Sequence, residues 1–207
     1  MAGSEIEVLC EGATLLHRFV ASHAPKLLDD VAGIAREASF RQMVTPGGSA
    51  MSVAMTNCGE VGWVSDRRGY RYDPLDPETG KPWPAMPGSF RKIALRAAEV
   101  AGFPDFRPDA CLINRYRPGA RMGLHQDKDE QDFAQPIVSV SLGLPAVFLF
   151  GGVTRKQRPR RIPLENGDVV VWGGPARLVY HGIAPLAEPT LLDWYEYRFN
   201  LTFRKAL

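Results

Sequence analysis

Two segments of the chain carry apolar side chains at the spacing of one helix face. The first predicts a helix that begins after Ser22, which can cap it, has Pro25 in its first turn and runs to about residue 38. The second predicts a helix over 87–101, where Gly102 and the proline two residues later are a stop signal. Both helices are amphipathic, so each is expected to pack one face on the rest of the fold.

From residue 109 onward the pattern changes to short apolar or alternating runs, which are typical of strands. The predicted strands are 110–116, 137–142, 146–150, 161–164, 168–172, 177–181 and 196–204. Asn166–Gly167 between two apolar runs predicts a hairpin turn, and residues 40–87 are predicted to form short strands and loops. Many strands after two helices, without an alternating strand–helix rhythm, predict an α+β, mainly β fold. The expected architecture is a β-sandwich or jelly roll with helices on one face.

Composition and charge narrow the class of protein. A chain of 207 residues is long enough for one domain. Its composition, with 45% hydrophobic and 23% charged residues, excludes a disordered chain, a fibre and a disulfide scaffold. The formal net charge of +2 means that an anionic partner has to be held by a local basic patch. The chain has three cysteines without a CxxC pair and no signal peptide, which predicts a cytoplasmic protein. Its longest uncharged run, 136–154, is interrupted by serine, glycine and proline, which predicts that it is not a membrane segment.

Two of the four histidines lie among predicted strands and suggest a metal site. His125 and Asp127 are two residues apart, so in an extended segment their side chains point to the same side. His181 from a distant strand can complete two nitrogens and one oxygen, which is the ligand set of non-haem Fe(II) oxygenases. Taken alone, His125 also fits a polar surface turn, and His181 also fits a strand-end histidine bonded to a carbonyl group.

The last predicted strand places polar side chains on one face and large apolar ones on the other. The polar face contains Arg198, Asn200, Thr202 and Arg204. Arginines facing an interior require anions, and two guanidinium groups along a strand suit a dicarboxylate. Asn114 and Tyr116 share one face of their own strand and can add hydrogen bonds. The alternative is an exposed strand whose arginines pair with protein acids such as Glu196 or Asp193. An interior cradle beside the metal site predicts an enzyme that uses Fe(II), O2 and 2-oxoglutarate.

The chain resembles the AlkB family of Fe(II)/2-oxoglutarate-dependent DNA dealkylation repair enzymes. The matching stretches are 40–48, 51–59, 81–87, 111–116, 125–130, 136–148, 167–174, 180–183 and 198–204. The resemblance implies a double-stranded β-helix (jelly roll) with supporting N-terminal helices and a nucleotide-recognition lid. It implies a single domain over 1–207, made of a helical extension (1–39), the lid (40–87) and a helix plus the β-helix core (88–207).

The resemblance also implies roles for individual residues. Iron would bind His125, Asp127 and His181. The far carboxylate of 2-oxoglutarate would meet Arg198, Asn200 and Tyr116, and its first carboxylate would lie near Asn114 and Arg204. The damaged base would stack between Trp63 and His125, with Tyr70, Asp129, Glu130 and Arg155 near the base or its phosphates.

Two further features of the sequence are compatible with such a substrate. Aromatic residues in the lid stand beside Arg67, Arg68 and Arg71, and aromatic faces are sequence-tolerant platforms for bases, although Trp63 also fits simple core packing. The basic loop, residues 155–161, has five basic residues in seven and would attract phosphates, although a solvated hairpin loop is the alternative.

The expected function is oxidative demethylation of bases such as 1-methyladenine and 3-methylcytosine in DNA, releasing formaldehyde, succinate and CO2. We expect a monomer acting on single-stranded DNA, with duplex DNA and RNA left open. The alternatives are a 2-oxoglutarate oxygenase of a small molecule or a protein side chain, and a nucleic-acid-binding module without catalysis.

Overall fold

The computed structural model describes residues 5–189 and 195–207. Its helices are α1 (Ala24–Glu37) and α2 (Gly88–Val100). Its strands are β1 (Ile6–Cys10), β2 (Ala13–Leu16), β3 (Arg41–Val44), β4 (Ala50–Gly59), β5 (Gly62–Asp66), β6 (Gly69–Asp73), β7 (Ala110–Tyr116), β8 (Met122–His125), β9 (Ile137–Gly143), β10 (Ala146–Phe150), β11 (Arg160–Leu164), β12 (Val169–Trp172), β13 (His181–Ile183) and β14 (Arg198–Arg204).

Two sheets form the body of the fold. The major sheet has the order β1-β2-β12-β9-β14-β7-β4-β3, and the minor sheet has the order β11-β10-β13-β8. Strands β5 and β6 form a separate hairpin, which we call the lid hairpin (62–73). This mainly β architecture with two helices confirms the predicted jelly roll.

The major sheet is covered on both faces. Leu201 and Phe203 of β14 pack with Phe90 of α2 and Leu27 of α1 in one apolar cluster, so both helices lie on the same face. Residues that alternate with these along the strands, such as Leu112 and Trp172, belong to a second cluster shared with the minor sheet. The space between the two sheets therefore receives the polar face of β14, as predicted.

Helix α2 matches its prediction closely, and α1 differs at its start. Ser22 does not cap α1, because it lies in a short 3-10 turn (Ala21–His23) and the helix begins at Ala24. The Ser22 hydroxyl instead lies 3.2 Å from Nδ1 of His23. Pro25 does occupy the first turn.

The Asn166–Gly167 turn does not close a hairpin. β11 pairs with β10 in the minor sheet, whereas β12 pairs with β9 and β2 in the major sheet. The turn therefore connects the two sheets. A local turn signal specifies that the chain reverses, but it does not specify which sheet the next strand joins.

Two other predictions of secondary structure need correction. Residues 177–180 are not a strand, since the backbone follows a 3-10 turn (Gly174–Ala176) and β13 begins only at His181. The N-terminal segment 1–39, expected to be a helical extension, also contains the β1–β2 hairpin, which extends the major sheet. No helix among the described residues is long and apolar enough to cross a membrane.

Candidate active site

The two predicted histidine ligands meet because their strands are neighbours. His125 ends β8 and His181 begins β13, and the two residues are direct partners in the antiparallel pairing. Gly182 permits this pairing at close range, since a Cβ atom there would lie 2.6 Å from the carbonyl oxygen of Met122. Residues 56 positions apart in the sequence thus reach one point.

Asp127 completes a three-ligand centre with the histidines. Its Oδ1 lies 3.6 Å from Nε2 of His125, and its Oδ2 lies 3.8 Å from Nε2 of His181. One ligand atom from each residue lies within 4.8 Å of the other two. Two imidazole nitrogens and one carboxylate oxygen at this spacing fit Fe(II).

Backbone contacts orient both imidazole rings. Nδ1 of His125 lies 2.8 Å from the carbonyl oxygen of Gly123, and Nδ1 of His181 lies 3.0 Å from that of Val179. A carbonyl oxygen only accepts hydrogen bonds, so each Nδ1 is the donor and carries the proton. In the neutral form of each ring, Nε2 then presents its lone pair to Asp127, as a metal ligand must.

The surroundings of the centre favour a carboxylate anion at Asp127 and a neutral imidazole at His181. Burial by itself would raise the pKa of Asp127, but Arg204, followed by His181 and His125, outweighs it and holds the pKa below its ordinary value. Burial, followed by the charge of His125, lowers the pKa of His181 to about 4. Asp127 and His181 are therefore in their metal-binding forms at neutral pH.

The lowered pKa of His181 predicts acid sensitivity of the metal-free protein. His181 has a pKa of 6.5 when unfolded, so between pH 6.5 and about 4 the unfolded chain binds a proton that the folded chain does not. The free energy of unfolding should therefore decrease as the pH falls through this window, by about 3 kcal/mol. Urea unfolding of the metal-free protein at a series of pH values measures this decrease in the free energy of unfolding. In His181→Gln the decrease should be smaller by that amount, and an equal decrease in both proteins would contradict the assignment.

A second group of predicted residues forms a candidate anion site between the sheets. Arg198 is 1% exposed, and its Nη2 donates to Oγ of Ser141 at 3.1 Å. Its Nε and Nη1 have no hydrogen-bond partner among the described residues, and neither has Oδ1 of Asn114. Burial lowers the pKa of Arg198 to about 10, partly offset by Tyr116 and Asp168. A buried, incompletely bonded guanidinium group fits a carboxylate of 2-oxoglutarate.

The second arginine of β14 is differently placed. Nε and Nη2 of Arg204 donate to Oδ2 of Asp127 at 2.9 and 2.6 Å, and Nε lies 3.4 Å from Oε1 of Glu130. Arg204 therefore does pair with protein acids, although the strand is interior and the acids come from the loop after β8. Glu196, the alternative partner, is exposed and forms no ion pair with it among the described residues. Asp193 lies outside the described residues.

One cavity of about 390 Å³ joins most of the predicted site residues. Its lining includes the residues predicted to bind the metal and 2-oxoglutarate and all but one of those predicted to bind the substrate, namely His125, Asp127, His181, Asn114, Tyr116, Arg198, Asn200, Arg204, Trp63, Tyr70, Asp129 and Arg155. Trp63 and Tyr70 stack at 5.5 Å between ring centroids with 15° between their planes, and Nε1 of Trp63 donates to Oδ2 of Asp129 at 2.8 Å. The aromatic pair therefore belongs to the cavity that contains the metal ligands.

Glu130 is the one predicted site residue that the structure places elsewhere. It is buried outside the cavity lining, where it accepts hydrogen bonds from Tyr72 and Arg177 at 2.6 and 2.9 Å. Its neighbour Asp129, by contrast, lines the cavity, so only one of these two consecutive acids faces it.

Trp172 and Lys128 are among the cavity residues that the sequence pattern did not single out. Trp172 lines the cavity beside His181, and its indole N–H is buried without a partner among the described residues. Lys128 lines the cavity between Asp127 and Asp129. Lys128 stands within the HQDKDE motif and could have been found there, whereas Trp172 looked like any apolar residue of a buried strand.

The fold and the three-ligand centre define a 2-oxoglutarate-dependent Fe(II) dioxygenase. In agreement, the family model of the 2OG-Fe(II) oxygenase superfamily matches residues 12–204. The centre is the site for Fe(II), and the cosubstrates of the class are 2-oxoglutarate and O2.

Similar proteins give a narrower assignment. The chain is 59% identical over 203 residues to the alpha-ketoglutarate-dependent dioxygenase AlkB of Escherichia coli (strain K12), covering 97% of this chain and 93% of that protein. It is 49% identical to the AlkB homolog of Caulobacter vibrioides (strain NA1000 / CB15N), covering 87% and 80%. The solved structure of OsALKBH1 superposes with a TM-score of 0.85 at 29% identity, covering 97% of this chain and all of that one. The chain therefore belongs to the AlkB family.

Proposed function

We propose that the protein oxidatively demethylates alkylated bases such as 1-methyladenine and 3-methylcytosine in DNA. The observation that carries the proposal is the single cavity shared by the three metal ligands and the Trp63–Tyr70 aromatic pair. A base removed from its stack needs an aromatic face, and its methyl group has to reach the metal. The kinship with AlkB supports the same substrate class.

The chain's own residues supply binding and orientation. Fe(II) with 2-oxoglutarate and O2 supplies the oxidation, which converts the N-methyl group to an unstable hydroxymethyl group and yields formaldehyde, succinate and CO2. Arg198, with Asn200 and Tyr116, would bind the far carboxylate of 2-oxoglutarate, and Asn114 and Arg204 would lie near its first carboxylate. Trp63 would hold the base against His125, with Tyr70, Asp129 and Arg155 near the base or its phosphates.

The test is a product analysis with defined substrates. Methylated oligonucleotides incubated with the protein, Fe(II), ascorbate and 2-oxoglutarate should lose the methyl group and release formaldehyde and succinate in equal amounts. Mass spectrometry of the oligonucleotide measures the first result. Succinate formed without repaired base, together with turnover of a methylated peptide or small molecule, would favour the alternative class of oxygenase.

Asp129 is expected to select cationic lesions. Asp129→Asn removes the negative charge but keeps an oxygen that can accept the Trp63 N–H, so the aromatic pair should remain in place. We expect kcat/KM to fall about tenfold for 1-methyladenine and 3-methylcytosine, which are cations, since an exposed charge pair is worth on the order of 1 kcal/mol. The neutral lesion 3-methylthymine serves as the comparison. Equal losses on cationic and neutral lesions would refute this role.

The basic loop is expected to bind phosphates beside the cavity. Arg155 lines the cavity, and Lys156, Arg158 and Arg161 form no ion pair among the described residues. In Lys156→Ala/Arg158→Ala, the slope of log affinity against log salt for single-stranded DNA should decrease by about 1.4, or 0.7 per lost contact. The matched control is Lys92→Ala/Arg96→Ala on α2, at the opposite face of the major sheet. Fluorescence anisotropy measures both slopes, and equal slopes in the two variants would exclude the loop.

We also propose that the substrate is single-stranded DNA, that the protein acts as a monomer and that it works in the cytoplasm. The three free cysteines, two of them buried on adjacent strands, suit a reducing compartment. The division into an N-terminal segment (1–39), a lid (40–87) and a core (88–207) is part of this proposal. Strands β3 and β4 of the lid segment pair within the major sheet, so its free part would be the lid hairpin.

A further inference from the structure

Two hydrogen bonds join the lid hairpin to the segment that carries Asp127. Trp63 on β5 donates to Asp129 at 2.8 Å, and Tyr72 on β6 donates its hydroxyl proton to Oε1 of Glu130 at 2.6 Å. Trp63 and Tyr72 are also direct partners across the hairpin. The lid hairpin, which carries the aromatic pair of the cavity, is therefore attached to the metal-binding segment at two adjacent residues.

Glu130 is the centre of a buried network that ends on a metal ligand. The side chains of Glu130, Arg177 and Arg204 are between 2% and 7% exposed. Arg177 donates to Oε2 of Glu130 at 2.9 Å and to the carbonyl oxygen of Asp127 at 2.7 Å. Arg204 lies 3.4 Å from Oε1 of Glu130 and donates to the Asp127 carboxylate. One route of polar contacts from the lid hairpin to the Asp127 carboxylate therefore runs through Tyr72, Glu130 and Arg204.

The network around Glu130 contains more polar contacts than are needed to hold the hairpin in place. A tyrosine on a carboxylate inside an apolar cluster would hold β6 without reaching any functional group. Here the same carboxylate oxygen receives the Tyr72 hydroxyl and faces Arg204, which also contacts Asp127. Shifting the hairpin would alter one of three charge-assisted contacts around Glu130, and such contacts are short and directional.

We propose that Tyr72 and Glu130 are positioning residues that couple the lid hairpin to the Asp127–Arg204 pair, so that loading the metal centre fixes the hairpin over the cavity. The coupling has a consequence for catalysis: one molecule of 2-oxoglutarate is consumed for each methyl group removed from the substrate. That consequence rests on the proposed function, whereas the coupling itself needs only the metal and 2-oxoglutarate.

The direct test is amide hydrogen exchange of residues 62–73, followed by mass spectrometry, without and with Mn(II) plus 2-oxoglutarate. In the parent protein, loading should slow exchange of the hairpin, by about tenfold if one charge-assisted hydrogen bond is strengthened. In Tyr72→Phe this slowing should disappear, although Mn(II) and 2-oxoglutarate still bind. A Tyr72→Phe hairpin that responds to loading as the parent does would overturn the proposal, as would a parent hairpin that does not respond.

Two more variants separate coupling from general support. Tyr197→Phe loses a tyrosine hydroxyl outside the cavity and should respond to loading like the parent. Glu130→Gln keeps an oxygen for Tyr72 but loses the charge facing Arg204, so it should also lose the response. If the two residues act along one route, Tyr72→Phe/Glu130→Gln should lose no more than either single variant, and additive losses would contradict the route.

The catalytic readout is the ratio of succinate to formaldehyde on a methylated oligonucleotide. It should rise in Tyr72→Phe and stay at one in Tyr197→Phe. A ratio of one in Tyr72→Phe would overturn the catalytic consequence. If the parent does not demethylate the oligonucleotide, the proposed function fails, and the exchange experiment still decides the coupling.

Discussion

His125→Ala should abolish turnover while leaving the fold intact. The variant removes one of three metal ligands, and loss of a ligand is expected to cost more than the 10–100-fold typical of groups that only support ligands. The side chain of His125 is 39% exposed and its described hydrogen bond is to one backbone carbonyl, so little stability should be lost. We therefore expect turnover to fall by more than about 100-fold at an unchanged melting temperature.

Succinate release measured across a titration of Fe(II) gives the turnover, and circular dichroism gives the melting temperature. The matched control is His23→Ala, which removes a histidine next to the start of α1 and should retain full turnover. Loss of the fold in His125→Ala would mean that the residue is a structural histidine, and retained turnover would mean that the metal is held differently.

Arg198→Met should weaken 2-oxoglutarate binding and at the same time stabilise the ligand-free protein. Removing one partner of a buried charge pair typically costs 2–5 kcal/mol, so the KM for 2-oxoglutarate should rise about 100-fold or more. Without ligand, however, the guanidinium group is buried with two nitrogens lacking a described partner. Replacing it with an apolar side chain of similar length should therefore raise the melting temperature.

The opposite signs of these two effects make the prediction specific. Increasing concentrations of 2-oxoglutarate should raise the melting temperature of the parent protein and leave that of Arg198→Met nearly unchanged. Arg115→Met is the matched control, because Arg115 lies on the other face of β7, where its guanidinium group is 4.5 Å from the centre of the Phe40 ring. A destabilised Arg198→Met protein with an ordinary KM would show that Arg198 supports the fold and not the ligand.

Much of the site was accessible from the sequence because its chemistry is local in strands. Alternation along β14 separated Arg198 and Asn200 from Leu201 and Phe203, and burial in the structure follows that alternation. The spacing of His125 and Asp127 likewise implied a common side. Glu130 could not be placed in this way, because its contacts come from β6, from the turn before β13 and from β14, all distant in sequence.

By itself, the sequence determined both helices, most of the strands after residue 109, the polar face of β14 and the chemistry of the ligand set, since each depends on side-chain periodicity and residue type over a few positions. Only the tertiary structure decided that β11 and β12 belong to different sheets, that His125 and His181 are partners across two strands, and that Arg204 pairs with Asp127 while Arg198 does not. These facts depend on strand order and register, which are set by packing between segments far apart in the chain.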